Sequence, residues 1–438
     1  MNRSALLTAA IAATIALGAT PQPAAAALVN RATMALSSSY LLKAKLSYAT
    51  GAITASETIR VKNISSLAIS KVNLSVVPRA FGELTSISGF KADGVSVAAR
   101  WTNNSNLEVQ LGKNVASGAS VTVSLAFAVK ASSRIDTSLH GRLSKANDIM
   151  QVSHWFPILS DGHAVRYPGD AQHTRVATKF RLELTTDSTA VKVAAPGSRI
   201  LASGVSHIYE LNSARDFAFS VSPVYRYVSG TAAGVSIGVY YTTGAAATAL
   251  ASAGAALTRF ESMFGQYQWS RFVVAQSGRP SSGNEYPGIV FLGGPAFSSR
   301  EVVAHEVAHQ WWYGMVGNDQ MREPWLDEGI AEFAASYAFG SLNSWNSTRP
   351  VNRTIYEFPD LPAPLTSGDP GSYDQTVYFK AAGFLNGLRI RMGNARFFDA
   401  LSDLFVANRN RMLTTRRFYD HFVRYGASST YMRSFIRF

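Results

Sequence analysis

The segment Glu301-Val302-Val303-Ala304-His305-Glu306-Val307-Ala308-His309-Gln310 contains the spacing His-Glu-x-x-His. If the segment is helical, its two histidines lie on one face, one turn apart. Two imidazoles at this spacing can hold one Zn²⁺, and Glu306, which follows the first histidine, can act on a zinc-bound water. The alternative interpretation is an ordinary helix that carries two surface histidines.

A third metal ligand is offered by Glu328, 19 positions after His309, in Trp325-Leu326-Asp327-Glu328-Gly329. Two histidines, one glutamate and a water form a catalytic set, because one coordination position stays open. Nitrogen and oxygen donors in this mixture favour zinc over Mg²⁺ or Ca²⁺, which prefer all-oxygen shells. We therefore predict one Zn²⁺ per chain, held by His305, His309 and Glu328.

Local signals predict two helices around these ligands. The first begins at a capping box, Ser298-x-x-Glu301, and its apolar face recurs at four-residue steps as far as Met315. The second begins at Pro324 and ends at about Gly340. Glu332 lies one turn after the third ligand, and we predict that it accepts a hydrogen bond from a zinc-bound histidine. A solvated helix carboxylate is the alternative role for Glu332.

The motif resembles that of the aminopeptidase-N type of gluzincin metallopeptidases, in a short bacterial form without the C-terminal helical domain of longer members. In both, His-Glu-x-x-His is followed after 18 residues by Glu within Trp-Leu-x-Glu-Gly. Further similar segments extend the resemblance over about residues 150–390, and these are His309–Trp312, Ser282–Gly288, Val377–Ala381 and Trp155–Pro157. The sequence departs from the family pattern at Asn284, where the family has Met, and at Ser282, where it has Gly.

The resemblance implies roles for four residues beside the ligands. Glu306 is the general base, and Tyr378 stabilises the oxyanion unless it is a buried core tyrosine. Glu285 binds the free α-amine of the substrate, which limits cleavage to the first peptide bond; a turn carboxylate before Pro287 is the alternative. Asp148, matched by its spacing from Pro157 alone, is a second substrate-binding residue at the amine.

The organisation of the chain indicates a multidomain protein of class β plus α/β. Residues 28–228 read as strands, with strict alternation at 121–129 and 180–184, and we predict a β-sandwich-like domain. Residues 229–234 are small and polar, as in a linker. Strands are predicted at 235–241, 272–276 and 289–292, and helical periods dominate after 298. Residues 229–438 are therefore predicted to form a thermolysin-like, mainly helical zinc peptidase domain, as the resemblance implies.

The N-terminal segment, the composition and the charge indicate where the protein is located and which partners it favours. Residues 1–27 read as a secretory signal, with Arg3, an apolar run and small residues that predict cleavage near Ala26 or Ala27; a retained signal anchor is the alternative. The sequence predicts export, to the periplasm or the exterior, and it contains no cysteine. The net charge is +13, with ten arginines in the last fifty residues. This excess favours weak association with anionic surfaces or forms a solvated basic face, and no nucleic-acid motif accompanies it.

The leading hypothesis is an exported zinc aminopeptidase that acts on peptides. A thermolysin-like endopeptidase is the alternative within the enzymes, since such sites share the two helices without an amine clamp. A non-catalytic peptide-binding protein on this scaffold is the third reading, and it is disfavoured because Glu306, Tyr378 and all three ligands are present. Neither the oligomeric state nor the preferred N-terminal residue follows from the sequence.

Overall fold

The computed structural model describes residues 35–135, 142–165, 175–279, 283–340, 355 and 373–437. Within these ranges the chain is built almost wholly of strands up to residue 222, and most of its helices follow residue 299. This confirms the coarse prediction of a multi-sheet β part followed by a helical part. The predicted signal segment lies outside the described residues.

The N-terminal part forms three sheets and contains one short helix. Its elements are β1 (Leu36–Ser47), β2 (Ala52–Asn63), β3 (Ile69–Ser75), α1 (Val77–Ala80), β4 (Leu84–Ala92), β5 (Val95–Ser96), β6 (Ala99–Trp101), β7 (Asn106–Val115), β8 (Ser120–Lys130), β9 (Leu143–Ala146), β10 (Ile149–Val152), β11 (Ile158–Leu159), β12 (Ala177–Thr186), β13 (Lys192–Ala194), β14 (Ser198–Ser203), β15 (Ser206–Ala214) and β16 (Phe219–Ser222). An eight-stranded sheet has the order β14-β15-β12-β1-β2-β8-β4-β5. Two four-stranded sheets have the orders β13-β16-β10-β9 and β11-β3-β7-β6.

Alternation of apolar residues explains the strands of the large sheet. The predicted inward residues of β8 are all at most 3% exposed, namely Val121, Val123, Leu125, Phe127 and Val129. Trp155 joins this core, with its ring centroid 5.8 Å from that of Phe127 and 5.6 Å from that of Phe219. Its Nε1 donates to the carbonyl of Phe217 at 3.1 Å. The Trp-Phe-Pro segment therefore belongs to the packed interior of the β part.

A separate five-stranded sheet follows the N-terminal part, with one helix, Ala246–Phe264, between its second and third strands in the sequence. It consists of β17 (Arg226–Ala232), β18 (Val235–Tyr241), β19 (Arg271–Gln276), β20 (Gly283–Tyr286) and β21 (Ile289–Leu292), in the order β17-β18-β19-β21-β20. The three central strands are parallel, and the edge strands β17 and β20 are antiparallel to their neighbours. The strands predicted at 235–241, 272–276 and 289–292 are confirmed as β18, β19 and β21.

The prediction of a linker at residues 229–234 is wrong. Residues 229–232 continue β17, and the turn of the β17–β18 hairpin follows at Ala233 and Gly234. Both turn residues have positive φ angles, 51° and 73°, as a tight hairpin turn requires. Small residues therefore marked a hairpin and not a flexible connection. The division into domains at residue 228 stays a prediction.

Two helices of the second part, Ala246–Phe264 and Arg300–Ala308, pack against the five-stranded sheet, and the others pack on these helices or on one another. They are α2 (Ala246–Phe264), α3 (Arg300–Ala308), α4 (Glu328–Phe339), α5 (Ala381–Met392), α6 (Asn394–Asn408), α7 (Thr415–Arg424) and α8 (Ser429–Arg433). A π-helical turn, Asp374–Lys380, leads directly into α5. No helix among the described residues is long and apolar enough to cross a membrane.

Two predicted helix limits need correction. The first helix is capped by Ser299, whose side chain accepts from the amide of Val302 at 3.3 Å, and not by Ser298, which ends a preceding 3₁₀ turn. It ends at Ala308, so the apolar residues beyond it lie in turns. The second helix begins at Glu328, after a separate 3₁₀ turn at Pro324–Leu326. Its predicted end is confirmed, since Gly340 has the left-handed conformation of a C-cap.

Candidate metal centre and active site

Helix α3 and the residue that follows it carry the two histidines. His305 lies in the last turn of α3, and His309 caps the helix while keeping a helical conformation. The two side chains therefore leave the same face, one turn apart, and their Nε2 atoms are 3.1 Å from each other. Both residues are buried, at 8% and 1% exposure. The reading of two surface histidines is therefore wrong.

Glu328, the first residue of α4, completes a group of three donors. Its Oε2 lies 3.1 Å from Nε2 of His305 and 3.1 Å from Nε2 of His309. The three atoms form a triangle with nearly equal edges, close to the separation of about 3.3 Å expected between ligands of a tetrahedral Zn²⁺. His305, His309 and Glu328 thus form a candidate zinc-binding group, and their donor chemistry fits that ion.

The electrostatics of the group favour positive charge at its centre. Burial alone would lower the pKa of His305, but hydrogen bonds and charge from Glu328 and Glu332 raise it well above its usual value. Burial opposes the charged form of His309 as well, yet the charges of Glu285 and Glu328 raise its pKa to about 10. Burial would raise the pKa of Glu328, and the two histidines lower it far below the usual range. The carboxylates that stabilise a proton on these histidines would also stabilise a cation bound between them.

The second nitrogen of each histidine has its own partner. Glu332, one turn along α4 from Glu328, places Oε2 at 2.7 Å from Nδ1 of His305. Nδ1 of His309 lies 3.1 Å from the carbonyl oxygen of Trp312. Both oxygens can accept a proton from Nδ1, so Nε2 is the nitrogen that each histidine would offer to a metal ion. Glu332 therefore lies within hydrogen-bond distance of His305, and its role beside a zinc-bound histidine stays a prediction.

Tyr378 reaches the group from the π-helical turn. Its hydroxyl donates to Oε1 of Glu328 at 2.5 Å, and its ring stacks on His305 with centroids 5.6 Å apart. The side chain is half-buried, so it is not a core tyrosine. The wider turn of a π-helix is often found at functional sites, and here it turns the hydroxyl towards the ligands.

Glu306 lies against the strand β20. Its side chain is 6% exposed. A Cβ atom added to Gly283 would come within 2.0 Å of Oε1 and 2.2 Å of Cδ of Glu306. The first residue of β20 must therefore lack a side chain for the carboxylate to occupy its place. In the sequence Gly283 is only one residue of the Ser282–Gly288 motif, and no local pattern there predicts this contact.

The alternation of β20 divides its side chains between two faces. Gly283 and Glu285 face the helix side, where the charge of Glu285 acts on His309. Asn284 faces the β part, where its Oδ1 accepts from Arg279 Nη1 at 2.9 Å and from Gln151 Nε2 at 3.4 Å. The family's Met is thus replaced by a hydrogen-bonded amide, while Glu285 keeps its position on the face of the candidate ligands.

Asp148 lies in the turn of the β9–β10 hairpin. It is exposed, has a positive φ of 60°, and its charge acts on Tyr48. Its neighbour Asn147 anchors the turn by donating to the carbonyl of Gly278 at 2.7 Å. Gln151, three residues later, is 1% exposed and is the hairpin side chain that contacts Asn284. The role of Asp148 stays a prediction, and the contact of Gln151 was not foreseen from spacing.

Asp327 is a further residue that the sequence analysis left without a role. It is 1% exposed, and its two carboxylate oxygens accept from Asn318 Nδ2 and Gln320 Nε2, both at 2.8 Å. These bonds attach the loop after the zinc-motif segment to the start of α4, where Glu328 follows. The sequence offered one signal for this role: Asp327 directly precedes the predicted ligand Glu328, and the amide residues Asn318 and Gln320 lie shortly before it.

The fold and the three donors define a zinc metallopeptidase type of architecture, and comparison with known proteins agrees. Residues 297–437 match the family model described as Peptidase family M1 domain, which confirms the resemblance for this segment. The chain is also similar to leucine aminopeptidase 2 of Candida albicans, at 28% identity over 190 residues, or 35% of this chain and 30% of that protein. Human aminopeptidase B is 25% identical over 189 residues, or 38% of this chain and 29% of that protein. The chain thus covers less than a third of these two relatives.

Solved structures share the fold over nearly the whole chain. The crystal structure of an M1 zinc metallopeptidase from Deinococcus radiodurans has a TM-score of 0.69 and 18% identity, and covers 92% of this chain and 94% of that one. A mutant of that organism's M1 zinc metallopeptidase, solved with a Tyr-Ser-Ala substrate, has a TM-score of 0.71, 17% identity and the same coverage. The similarity therefore includes both the β part and the helical part.

Proposed function

We propose that this protein is a zinc-dependent aminopeptidase that removes N-terminal residues from peptides. The observation that best supports this proposal is one buried site. It contains three candidate zinc ligands, a carboxylate on the same helix and a second carboxylate on the neighbouring strand. These are His305, His309 and Glu328 for the metal, Glu306 for proton transfer and Glu285 for the substrate amine. The two helices and the edge strand also support a thermolysin-like arrangement of the catalytic part.

The metal would be held by the two Nε2 atoms and Oε2 of Glu328. Zn²⁺ polarises a carbonyl and lowers the pKa of a water when it is bound. Glu306 accepts the proton of the attacking water and later delivers it to the leaving amine. Its buried carboxylate, in the place of a Gly283 side chain, has little room to swing away from that task.

Tyr378 supplies the hydroxyl for the oxyanion. Its ring rests on His305 and its hydroxyl lies 2.5 Å from Glu328, so the donor is already next to the reacting centre. A donor fixed in advance stabilises developing charge without reorganising during the reaction. Glu332 and the carbonyl of Trp312 orient the two histidines through their Nδ1 atoms.

Glu285 is proposed to bind the α-amine. An ammonium that leaves water needs carboxylate oxygens in place of its hydration, and Glu285 offers them on the same face as His309. The β9–β10 hairpin would supply polar groups from the β part. The exposed Asp148 and the buried Gln151 are its two candidates, and Gln151 has the direct contact to the strand.

The substrates we propose are peptides with a free N-terminus. Two similar M1 metallopeptidase structures support this proposal, because one is bound to L-arginine and the other to a Tyr-Ser-Ala substrate, and L-arginine has a free α-amine. We also propose export, on the strength of the signal-like residues 1–27. Mass measurement of the protein secreted by a bacterial host would test the cleavage near Ala26 or Ala27.

The deciding experiment compares one peptide with a free and with an acetylated N-terminus. We expect the free peptide to lose its first residue and the acetylated peptide to be a poor substrate, and Glu285→Ala to weaken kcat/KM on the free peptide by about 2–4 kcal/mol, as for loss of a buried charge partner. Glu306→Gln should abolish the cleavage. Efficient internal cleavage of the acetylated peptide, abolished by Glu306→Gln, would instead establish the endopeptidase.

A further inference from the structure

Gln310 connects the metal-ligand segment to the strand that carries Glu285. It directly follows the ligand His309 and is fully buried, at 0% exposure. Its Oε1 accepts from the amide of Gly288 at 2.8 Å, and its Nε2 donates to the carbonyl of Tyr286 at 3.1 Å. Both backbone groups belong to the turn between β20 and β21, so one side chain ties this turn to the candidate metal centre.

The hairpin has further anchors that leave Gln310 a specific task. At its start, Gly283 lies flat against Glu306. The hydroxyl of Tyr286 accepts from Arg142 Nη1 at 3.0 Å, and a Cβ on Gly288 would lie 2.9 Å from Cβ of Pro196. These contacts fix the start of the hairpin against the proposed base and its turn against the β part. Gln310 fixes the same turn against the segment that carries the ligand His309.

We infer that Gln310 is a positioning residue that sets the separation between Glu285 and the metal ligands, and so restricts cleavage to the first peptide bond. The inference rests on the proposed function. In any peptide the α-amine and the first carbonyl belong to the same residue and are joined through its Cα. The two sites that hold these groups must therefore keep a fixed spacing. A misplacement of about 1 Å can cost about 10²-fold in rate.

A purely structural role makes a different prediction. If the only role of Gln310 were to form hydrogen bonds with the backbone of the turn, its replacement would lower the stability of the protein and affect all substrates alike. If it positions Glu285, its replacement acts on the free amine alone. The preference for free over acetylated peptide, expressed as a ratio of kcat/KM values, therefore separates the two roles.

The test uses Gln310→Met, which keeps the length of the side chain and removes both hydrogen bonds, in the full chain loaded with zinc. We expect unchanged zinc content, and a loss of about 10-fold or more in kcat/KM for the free peptide, mainly through KM. Residual cleavage of the acetylated peptide should stay within about twofold of the parent. Hydrogen exchange at the Gly288 amide should become faster.

A double-mutant cycle with Glu285→Ala identifies the route of the effect. Since Gln310 is inferred to act through Glu285, adding Gln310→Met to Glu285→Ala should cause little further loss. The matched control is Gln276→Met, because the buried Oε1 of Gln276 likewise accepts from backbone amides, those of Thr242 and Thr243, but on another loop of the same sheet. This control should keep the parental substrate preference.

Additive losses in the cycle, or an unchanged preference in Gln310→Met, would overturn the inference while leaving the aminopeptidase intact. A parent protein without preference for the free amine would instead refute the proposed function itself. If Gln310→Met does not fold, Gln310→Asn takes its place in every measurement. Its amide is one methylene shorter and cannot reach both backbone groups, so the same loss of preference is expected.

Discussion

His309 and Glu306 belong to the same segment but have different proposed tasks, so their variants should fail in different ways. His309→Ala removes one of three donors, and we expect purified protein to lose its one zinc per chain in elemental analysis. Glu306→Gln removes the base and no ligand, so the zinc should stay while turnover falls by about 10²–10⁴-fold. Full zinc in His309→Ala would refute the ligand assignment, and zinc loss in Glu306→Gln would refute the assignment of Glu306 as base alone.

Glu57 is a buried carboxyl group far from any proposed chemistry. It lies on β2 between Leu42 and Leu125 of the neighbouring strands, is 1% exposed, and neither oxygen has a hydrogen-bond partner among the described residues. Burial raises the pKa of Glu57 well above its usual value. The folded state therefore holds a proton that the unfolded state releases above about pH 4.5. Stability is lost as the pH rises from there towards the folded pKa.

Glu57→Met should therefore increase the free energy of unfolding, by about 1–3 kcal/mol at pH 5 and by more at pH 8. Urea unfolding of the parent and the variant across this pH range measures the difference. Glu108→Met is the matched control, and it should destabilise, because Glu108 accepts from Lys71 at 2.6 Å and from Arg100 at 2.9 Å. A pH-independent difference between parent and Glu57→Met would contradict the assignment.

Residue spacing predicted the ligands because a helix fixes the direction of every fourth side chain. The same step from Glu328 located Glu332, now seen 2.7 Å from His305. Counting back from Pro157 is weaker, because the count crosses a strand and a hairpin turn whose register the sequence does not reveal. It reached Asp148, which is exposed, while Gln151 is the residue buried against Asn284. Backbone contacts such as those of Gln310 leave no local sequence signal.

At the scale of elements, β20 and α3 approach so closely that the first residue of the strand must be glycine. In Gly283→Ala the new methyl group would displace the carboxylate of Glu306, since the three atoms nearest to it all belong to that side chain. We expect kcat to fall by about 10²-fold, the loss typical of a misplaced catalytic group. Zinc content and melting temperature should change little, because the displaced group is the end of a side chain.

Gly383→Ala provides the control for this prediction. Gly383 lies within α5, and an added Cβ would meet nothing within 4 Å, so the variant should keep its activity. Full activity in Gly283→Ala would show that Glu306 can move without penalty and is not the base. The 3₁₀ turns and the early end of α3 at Ala308 were beyond sequence prediction, because an apolar period continues through turns that also pack inward.

Among the described residues, a large apolar core cluster contains side chains of both the β part and the helical part, and a smaller cluster also joins the β part to the five-stranded sheet. A buried arginine adds polar contacts at this junction. Arg215 follows β15 directly, is 1% exposed, and donates to the carbonyls of Tyr313 at 2.8 Å and Arg411 at 2.7 Å. Burial lowers its pKa to about 10, so it stays charged at neutral pH. No feature of the sequence marked Arg215, because the carbonyls to which it donates lie about 100 and 200 residues away in the chain.

Replacing Arg215 should loosen the two parts from each other. Arg215→Met keeps most of the apolar stem but removes the donor of the buried Tyr313 carbonyl, at a cost of about 1–3 kcal/mol for an unsatisfied group. The Arg411 carbonyl keeps the amide of Gly317 as a donor at 2.9 Å. Calorimetry should show a lower melting temperature and, because the β part no longer shares these bonds, a broader or divided transition. Arg60→Met, on an exposed position of β2, should unfold like the parent. A single parental transition in Arg215→Met would mean that the shared apolar core alone couples the two parts.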